Sequence, residues 1–254
     1  EGVYREQRLP GGVLIRVARS HIRIGTFQYF ASKQDLDGLQ LLVDHVIARH
    51  YPEALDADNH VLSLFEQVSQ QLAELIAHWQ TVGFIHGVMN TDNMLLSGET
   101  IDFGPCAFMD GYDSAAVYSS IDHGSRYAYR NQPAITQWNL ACLGQSLLPF
   151  IADDETAATE AAQAVLNAFP DFYMNAYFER LRGKFGLGEK KDADEALMQE
   201  FLDLLEAGRH DFTLAFRRLA DIAAEENESE VGELFDFTGS FNSWIERWQQ
   251  RCTQ

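Results

Sequence analysis

The C-terminal part of the chain, after residue 133, carries apolar residues at spacings of three and four in nearly every segment. This spacing puts apolar side chains on one face of an α-helix. The loops between the segments, such as GLGEKKDAD at 186–194, are short and charged. The pattern predicts helices near residues 134–151, 155–168, 171–185, 192–207, 211–225 and 230–251.

Two further helices are predicted in the first third of the chain. The segment DLDGLQLLVDHVIARHYP, at residues 35–52, has one apolar stripe and carries Pro52 beyond its end. A second amphipathic pattern runs over residues 60–82 and ends near Gly83. Both are typical of helices that pack one face against a core.

The segment before these helices has a different pattern. Residues 12–30, GVLIRVARSHIRIGTFQYF, are β-branched and alternate in part, with Val13, Ile15 and Val17 on one face. This alternation predicts a strand followed by a turn at Gly25. The whole chain is therefore expected to be α+β and mostly α, with a small β-containing N-terminal piece.

Composition limits the class of protein. The chain has 254 residues, of which 46% are hydrophobic, enough for one large domain or two unequal lobes. Its formal net charge of −19 argues against a nucleic-acid partner, because phosphate backbones bind basic surfaces. No apolar run approaches the roughly 18 residues that cross a bilayer. Three scattered cysteines form neither a disulfide framework nor a zinc motif, so we expect a reducing compartment, the cytoplasm.

Residues 86–105 read HGVMNTDNMLLSGETIDFGP and contain parts of a phosphotransfer site. In the kinase loop H-R-D-x-x-x-x-N the base Asp follows His by two residues, and here that position is Val88. Asn93 lies seven residues after His86, as the kinase Asn does, and Asp102 opens an Asp-Phe-Gly. Such oxygens hold magnesium against phosphates, and the intervening MLLSGETI predicts a hairpin that brings Asn93 and Asp102 to one ion. The alternative is that Asp92 and Asn93 only cap a turn and that Asp102 ends a strand.

Asp92 is the candidate general base. It precedes Asn93 in a predicted loop and is the only nearby carboxylate before that metal ligand. A carboxylate within hydrogen-bond reach of a hydroxyl can accept its proton. A plain turn residue is the alternative reading. For His86 we expect a structural role, bonding the backbone around the loop.

Arg16, Arg19 and Arg23 lie close together in an otherwise acidic protein. The planar guanidinium suits phosphate oxygens. Residues 16 and 23 would lie on opposite faces of a flat strand, so they converge only if the chain bends near Ser20 and His21. Exposed strand arginines without a ligand are equally compatible with the pattern.

The helical remainder and the polar loop centre have the outline of a kinase-like C-lobe, and the motifs resemble the selenoprotein O family of pseudokinases. The resemblance covers most of residues 1–150 and is looser from about 170 onward, through DFT-x-x-FRRL at 211–219 and W-x-x-RW near the C-terminus. It rests on the segments HGVMNTDNM, TIDFGP, VLIRVARSHIRIGTFQYF, RHYP and YSSIDHGSRYAYRNQPAITQWNL.

The resemblance implies a kinase-like fold that binds ATP in a flipped orientation and transfers AMP to Ser, Thr or Tyr hydroxyls of proteins. By position, Asp92 is the proton acceptor, and Asn93 and Asp102 are ligands of Mg²⁺, or of Mn²⁺ in its place. ATP and protein substrates are the implied partners, in the cytoplasm of a bacterium, with no nucleic acid or membrane involved.

The same resemblance assigns the nucleotide contacts. Arg16 and Arg23 hold ATP phosphates, and Asp102 contributes to ATP binding through its metal. It also accounts for Val88, because with the nucleotide reversed the usual base position is not where the acceptor hydroxyl arrives.

The resemblance further implies a division of the chain. Residues 1–34 correspond to the end of the N-lobe and the hinge, and residues 35–254 to the helical C-lobe with the catalytic and metal loops. The family's glycine-rich loop and Lys–Glu pair would precede residue 1, so a fragment of this extent is expected to be inactive alone. Cys252 comes too early to match the family's redox-active tail residue, whereas Cys106 is expected to be a free loop thiol.

Two other functions remain open from the residues. A conventional ATP-dependent phosphotransferase would move the γ-phosphate, and Val88 at the base position counts against it. A non-catalytic nucleotide-binding module is the other alternative, and the presence of Asp92, Asn93 and Asp102 together argues against it.

Overall fold

A computed structural model describes residues 2–4, 7–13, 15–224, 235, 237 and 239–253. Over these residues the chain is mostly helical and has two small antiparallel sheets, as the α+β, mostly α prediction expects. The strands are β1 Gly2–Tyr4, β2 Arg8–Pro10, β3 Phe84–Ile85 and β4 Ala107–Phe108. The helices are α1 Ile24–Ser32, α2 Leu36–His50, α3 His60–Thr81, α4 Gln132–Ile151, α5 Glu155–Lys184, α6 Asp194–Gly208, α7 Phe212–Ala223 and α8 Ser240–Cys252.

The strand predicted from residue 12 onward is wrong for the part of this segment that is described. Residues 11–13 and 15–22 have neither helical nor strand structure. The side chains of Val13, Ile15 and Val17 are 94%, 83% and 92% exposed, so their alternation does not bury a face. Alternation produces a strand only when a neighbouring strand completes the hydrogen-bond ladder, and none does so among the described residues.

A helix replaces the turn predicted at Gly25. Ile24 and Phe27 are fully buried on one face of α1, so helical spacing decides the structure there. The backbone N–H of Arg23 donates to Thr26 Oγ1 at 3.2 Å and ties down the helix start. Gly25 is an ordinary helical residue, since its φ lies outside the left-handed region.

The two amphipathic helices predicted next are confirmed as α2 and α3. Asp35 caps α2 by accepting a hydrogen bond from the Gly38 N–H at 2.9 Å. Asn59 caps α3 in the same way, accepting from the Leu62 N–H at 3.0 Å. Side-chain oxygens at these positions satisfy donors that the first helical turn leaves unpaired.

The segments predicted near 155–168 and 171–185 form one helix, α5, with Pro170 inside it. Proline removes the hydrogen bond to the carbonyl four residues earlier, which is that of Leu166. Gln137 of α4 supplies a replacement, because its Nε2 donates to the Leu166 carbonyl oxygen at 2.9 Å. The helix therefore continues through the proline.

The predictions near 134–151, 192–207 and 211–225 are confirmed within a few residues as α4, α6 and α7. The last predicted helix is present as α8 but begins at Ser240, and the described residues 235, 237 and 239 before it are not helical. The last prediction began at residue 230, and residues 230–234 lie outside the described part of the chain. Among the residues that are described, no helix combines the length and the apolar character needed to cross a bilayer.

Two apolar clusters form the interior. The first surrounds α3 and is built from α1 to α5, and the second joins the end of α5 to α6, α7 and α8. Strand β3 lies where they meet, since Phe84 belongs to the first cluster and Ile85 to the second. Phe84 and Ile85 pair with Phe108 and Ala107 of β4. The loop motif at 86–105 thus leaves and returns at the junction of the two clusters.

Candidate active site

Helix α4 holds the start of the loop motif through two buried side chains. Gln132 accepts from the His86 N–H at 3.0 Å and donates from Nε2 to the Phe84 carbonyl oxygen at 3.0 Å. Asn139 donates from Nδ2 to the Met89 carbonyl oxygen at 2.9 Å. Buried polar groups are almost always hydrogen-bonded, and here their partners are loop backbone.

His86 is buried and joins the loop to the Asp-Phe-Gly segment. Its Nε2 lies 2.7 Å from the Ile101 carbonyl oxygen, and its Nδ1 accepts from the Val88 N–H at 3.3 Å. The ring also stacks on Trp79, with centroids 5.3 Å apart. Burial lowers the pKa of His86, against opposing effects of the Ile101 bond and of Asp102. The structural role expected for His86 is confirmed.

Gly87 makes a second connection between the same two segments. Its φ is +85°, a conformation that favours glycine, and a Cβ built on it would lie 2.9 Å from Cγ of Pro105. Both the backbone conformation and the close approach therefore require glycine at this position.

The turn before the hairpin separates the roles of three neighbouring residues. Asn90 caps it, accepting from the Asp92 N–H at 3.1 Å, so the cap that the turn reading gave to Asp92 belongs to Asn90. The Asp92 side chain is exposed. Asn93 is buried, and its Nδ2 donates to the Val88 carbonyl oxygen at 2.9 Å. The amide oxygen of Asn93 therefore lies on the side of the amide group that faces away from Val88.

The hairpin predicted from MLLSGETI is confirmed by the antiparallel pairing of Met94 with Thr100. Asp102 follows it with φ of +60° and is exposed. A non-glycine residue in this conformation is uncommon and is often found at functional sites. Because His86 holds the Ile101 carbonyl, the backbone entering Asp102 is fixed next to the loop that carries Asp92 and Asn93.

The three arginines border this hairpin in chain order. Arg16 donates from Nη2 to the Thr100 carbonyl and lies over the Phe103 ring, 5.2 Å from its centroid. The chain bends at Arg19, close to the predicted position, and Arg19 donates to the Ser97 carbonyl at 2.9 Å. The backbone of Arg23 pairs with Leu95 on the other side of the hairpin. The Nε atom of Arg23 is buried and has no hydrogen-bond partner among the described residues.

Comparison with known protein families identifies the family of the chain. A family model described as "Protein adenylyltransferase SelO" matches residues 1–254.

The chain belongs to the SelO family.

Three similar relatives bear the name "Protein nucleotidyltransferase YdiU". The one from Rhizobium etli (strain CIAT 652) is 53% identical over 255 residues, which are 100% of this chain and 51% of the relative. That of Bradyrhizobium diazoefficiens is 51% identical over 251 residues, covering 99% of this chain and 51% of the relative. That of Rhodopseudomonas palustris (strain HaA2) is 51% identical and covers 100% of this chain and 52% of the relative. The chain spans about half the length of these relatives.

The donor set of this SelO-family chain is small. The structure has, in its described part, no group of three or more His, Cys, Asp or Glu side chains placed to bind a metal. The two predicted ligands, Asn93 and Asp102, carry an amide and a carboxylate group, and oxygen donors of this kind are those that hard cations prefer.

Sequence reasoning missed the residues that hold the SelO-family site in place. Gln132 and Asn139 are fully buried amide residues on one face of α4. Seven-residue spacing of amide side chains in such a helix is a signal for hydrogen bonding to buried backbone. Asn90 carries the ordinary sequence signal of a turn cap, because Asn side chains commonly accept a hydrogen bond from the backbone two residues later.

Proposed function

We propose that this protein is a protein adenylyltransferase that transfers AMP from ATP to Ser, Thr or Tyr hydroxyls of protein substrates with Mg²⁺, or Mn²⁺ in its place. The family and the nucleotidyltransferase names of its relatives support the reaction class. One observation carries the proposal for this site: Asn90 caps the turn, so the exposed Asp92 carboxylate stands next to Asn93 while Val88 fills the usual kinase base position.

Asn93 and Asp102 fit a magnesium ion. The bond from Asn93 Nδ2 to Val88 leaves the amide oxygen as the group available for coordination. Magnesium keeps several waters and is commonly held by one or two protein oxygens together with substrate phosphates, so two ligands are enough. When bound, the ion neutralises the negative charge that develops on the phosphates.

Asp92 is the proposed general base. In the reaction, the acceptor hydroxyl oxygen forms a bond to the α-phosphorus of ATP, and the bond from that phosphorus to the bridging oxygen of the β-phosphate breaks. Pyrophosphate leaves, and the hydroxyl proton passes to a carboxylate oxygen of Asp92. The exposure of this side chain supports the assignment, because a protein substrate must reach it.

Arg16 and Arg23 are the proposed phosphate ligands. A buried guanidinium nitrogen normally has a partner, so the unpaired Nε of Arg23 supports a ligand oxygen at that position. Arg16 supports the same assignment less directly, since its stacking on Phe103 keeps it beside Asp102. Neither arginine is bound to a carboxylate among the ion pairs of the described residues.

The domain division is part of the same proposal. Residues 35–254 form the helical C-lobe of a kinase-like fold, and residues 1–34 end the N-lobe and form the hinge. The position of the loop motif between a long helix, α3, and a helical remainder supports this division.

Mass spectrometry of the protein after incubation with ATP and Mg²⁺ tests the proposal, because added AMP and added phosphate differ in mass. We expect AMP on hydroxyl side chains in the full-length protein, and loss of it in Asp92→Asn and Asp102→Ala. Asp58→Asn is the matched control. Asp58 is exposed and precedes the start of α3, whereas the loop motif begins after the other end of that helix. Addition of phosphate, or full activity of Asp102→Ala, would contradict the proposal.

A further inference from the structure

Gly25, in the first turn of α1, faces the carboxylate of Asp92. A Cβ built on Gly25 would lie 3.1 Å from Cγ of Asp92 and closer than 3.0 Å to its Oδ1, a separation that real Cβ atoms essentially never show. The backbone of Gly25 does not need glycine, because it is helical with φ outside the left-handed region. Glycine also lowers helix stability relative to alanine, so its presence here has another cause.

The helix start is fixed against the loop by several backbone bonds. The Ile24 N–H donates to the Met94 carbonyl oxygen at 3.0 Å, and the Leu96 N–H donates to the Ile22 carbonyl oxygen at 3.1 Å. Arg23 pairs with Leu95 between them. Gly25 therefore cannot withdraw from Asp92 without breaking the pairing that begins two residues after Asp92.

A side chain at position 25 would move the carboxylate and leave the backbone in place. The close atoms belong to the end of the Asp92 side chain, whereas the Cα of Asp92 lies 3.5 Å from the built Cβ, an ordinary contact. Rotation of the Asp92 side chain relieves the overlap. The helix N-terminus also attracts negative charge, so the carboxylate is stabilised where Gly25 allows it to lie.

We infer that Gly25 is a positioning residue for Asp92: only its hydrogen leaves room for the carboxylate against the first turn of α1. The inference deepens the proposed function and rests on it, since there Asp92 accepts the hydroxyl proton. Arg23, a proposed phosphate ligand, occupies the N-cap position of the same helix, so one helix start carries both the contact to the base and a proposed phosphate contact.

The test uses Gly25→Ala in the full-length protein, alone and combined with Asp92→Ala. Gly183→Ala is the matched control, because Gly183 also lies in a helix and a Cβ there meets nothing within 4 Å. Crystal structures give the Asp92 side-chain rotamer, which does not depend on activity. Steady-state AMP transfer gives kcat and the KM for ATP.

We expect Gly25→Ala to change the Asp92 rotamer and lower kcat by about tenfold or more, since small displacements of a reacting group are costly. The KM for ATP should stay within about twofold, because a displaced base affects the transition state and not substrate binding. In the Asp92→Ala background, Gly25→Ala should lower kcat no further, and Gly183→Ala should behave as the wild type.

An unchanged Asp92 rotamer in Gly25→Ala overturns the inference, as does an equal loss of kcat with and without Asp92. A displaced Asp92 with wild-type AMP transfer upholds the positioning by Gly25 and overturns the base role of Asp92. The rotamer thus separates failure of this inference from failure of the proposed function.

Discussion

The Nε2 atom of His86 lies 2.7 Å from the carbonyl oxygen of Ile101, while the Nδ1 atom of the same ring accepts the N–H of Val88. A neutral imidazole with its proton on Nε2 makes both bonds at once. A protonated ring would carry a hydrogen on Nδ1 and lose the bond to Val88. The two segments that hold the candidate metal ligands are therefore joined by a histidine that must stay neutral.

Stability should fall in acid because of this histidine. Burial lowers the pKa of His86 in the folded state, so the unfolded chain binds its proton first as the pH drops below about 6.5. The free energy of unfolding should decrease from pH 7 to pH 5.5 with a slope of up to about 1.4 kcal/mol per pH unit. The His86→Asn variant should have a lower free energy of unfolding at pH 7.5. That free energy, measured by urea denaturation at each pH, should also fall less steeply with decreasing pH.

His50 supplies the control for this measurement. Burial, followed by Arg49, lowers its pKa as well, so it adds its own slope over the same pH range. His50→Gln should remove the contribution of His50 to the pH dependence of the unfolding free energy and leave the contribution of His86. A slope unchanged by His86→Asn would contradict the neutral, bonded ring.

Gly87→Ala should destabilise the protein more than the same substitution at another glycine whose φ is positive. Gly186 has φ of +67° and open space around a built Cβ, so Gly186→Ala should cost about 1–2 kcal/mol from backbone strain. Gly87→Ala adds a clash with Pro105, about 1–3 kcal/mol more. Chemical denaturation of both variants measures the difference, and equal costs would show that the contact with Pro105 is not tight.

The pair between Asp194 and Arg251 should matter far more than a surface pair. It is buried and bidentate, with Nε–Oδ1 at 2.6 Å and Nη2–Oδ2 at 3.0 Å, and it ties α8 to α6. Arg251→Met should lower the free energy of unfolding by clearly more than the loss of a surface pair does, because it removes the cation bound to the buried Asp194 carboxylate and leaves that carboxylate the Lys191 N–H as a donor. The double variant with Asp194→Leu should recover most of that loss.

The exposed pair of Arg180 with Glu74, at 2.8 Å, is the comparison. Arg180→Met should change the free energy of unfolding by under about 1 kcal/mol, since solvent screens the pair. A cost for Arg251→Met as small as that for Arg180→Met would contradict the burial of the α6–α8 pair.

The sequence predicts an element of this fold well when the contacts that stabilise the element lie between residues close together in the chain. Helices α2 and α3 were predictable because both their apolar stripes and their caps, Asp35 and Asn59, are local. Helix α1 was missed because alternation at residues 13–17 was extended into a segment where Ile24 and Phe27 follow helical spacing.

Distant contacts decided the rest. Pro170 looks like a helix end until Gln137, on another helix, bonds the carbonyl that the proline leaves unpaired. At the site, spacing alone identified Asn93 and Asp102 as candidates. The closeness of Gly25 to Asp92 has no sequence signal, because it arises from the pairing of residues 22–24 with 94–96.

The most direct test of AMP transfer uses ATP labelled separately at the α- and γ-phosphates, with the full-length protein, Mg²⁺ and a protein acceptor. If Asp92 accepts the hydroxyl proton while pyrophosphate leaves, label should remain on protein from α-labelled ATP and be absent with γ-labelled ATP. Asp92→Asn and Asp102→Ala should both lose the label, and Asp58→Asn should keep it. Label retained on protein only from the γ-phosphate would contradict the account and identify a conventional kinase.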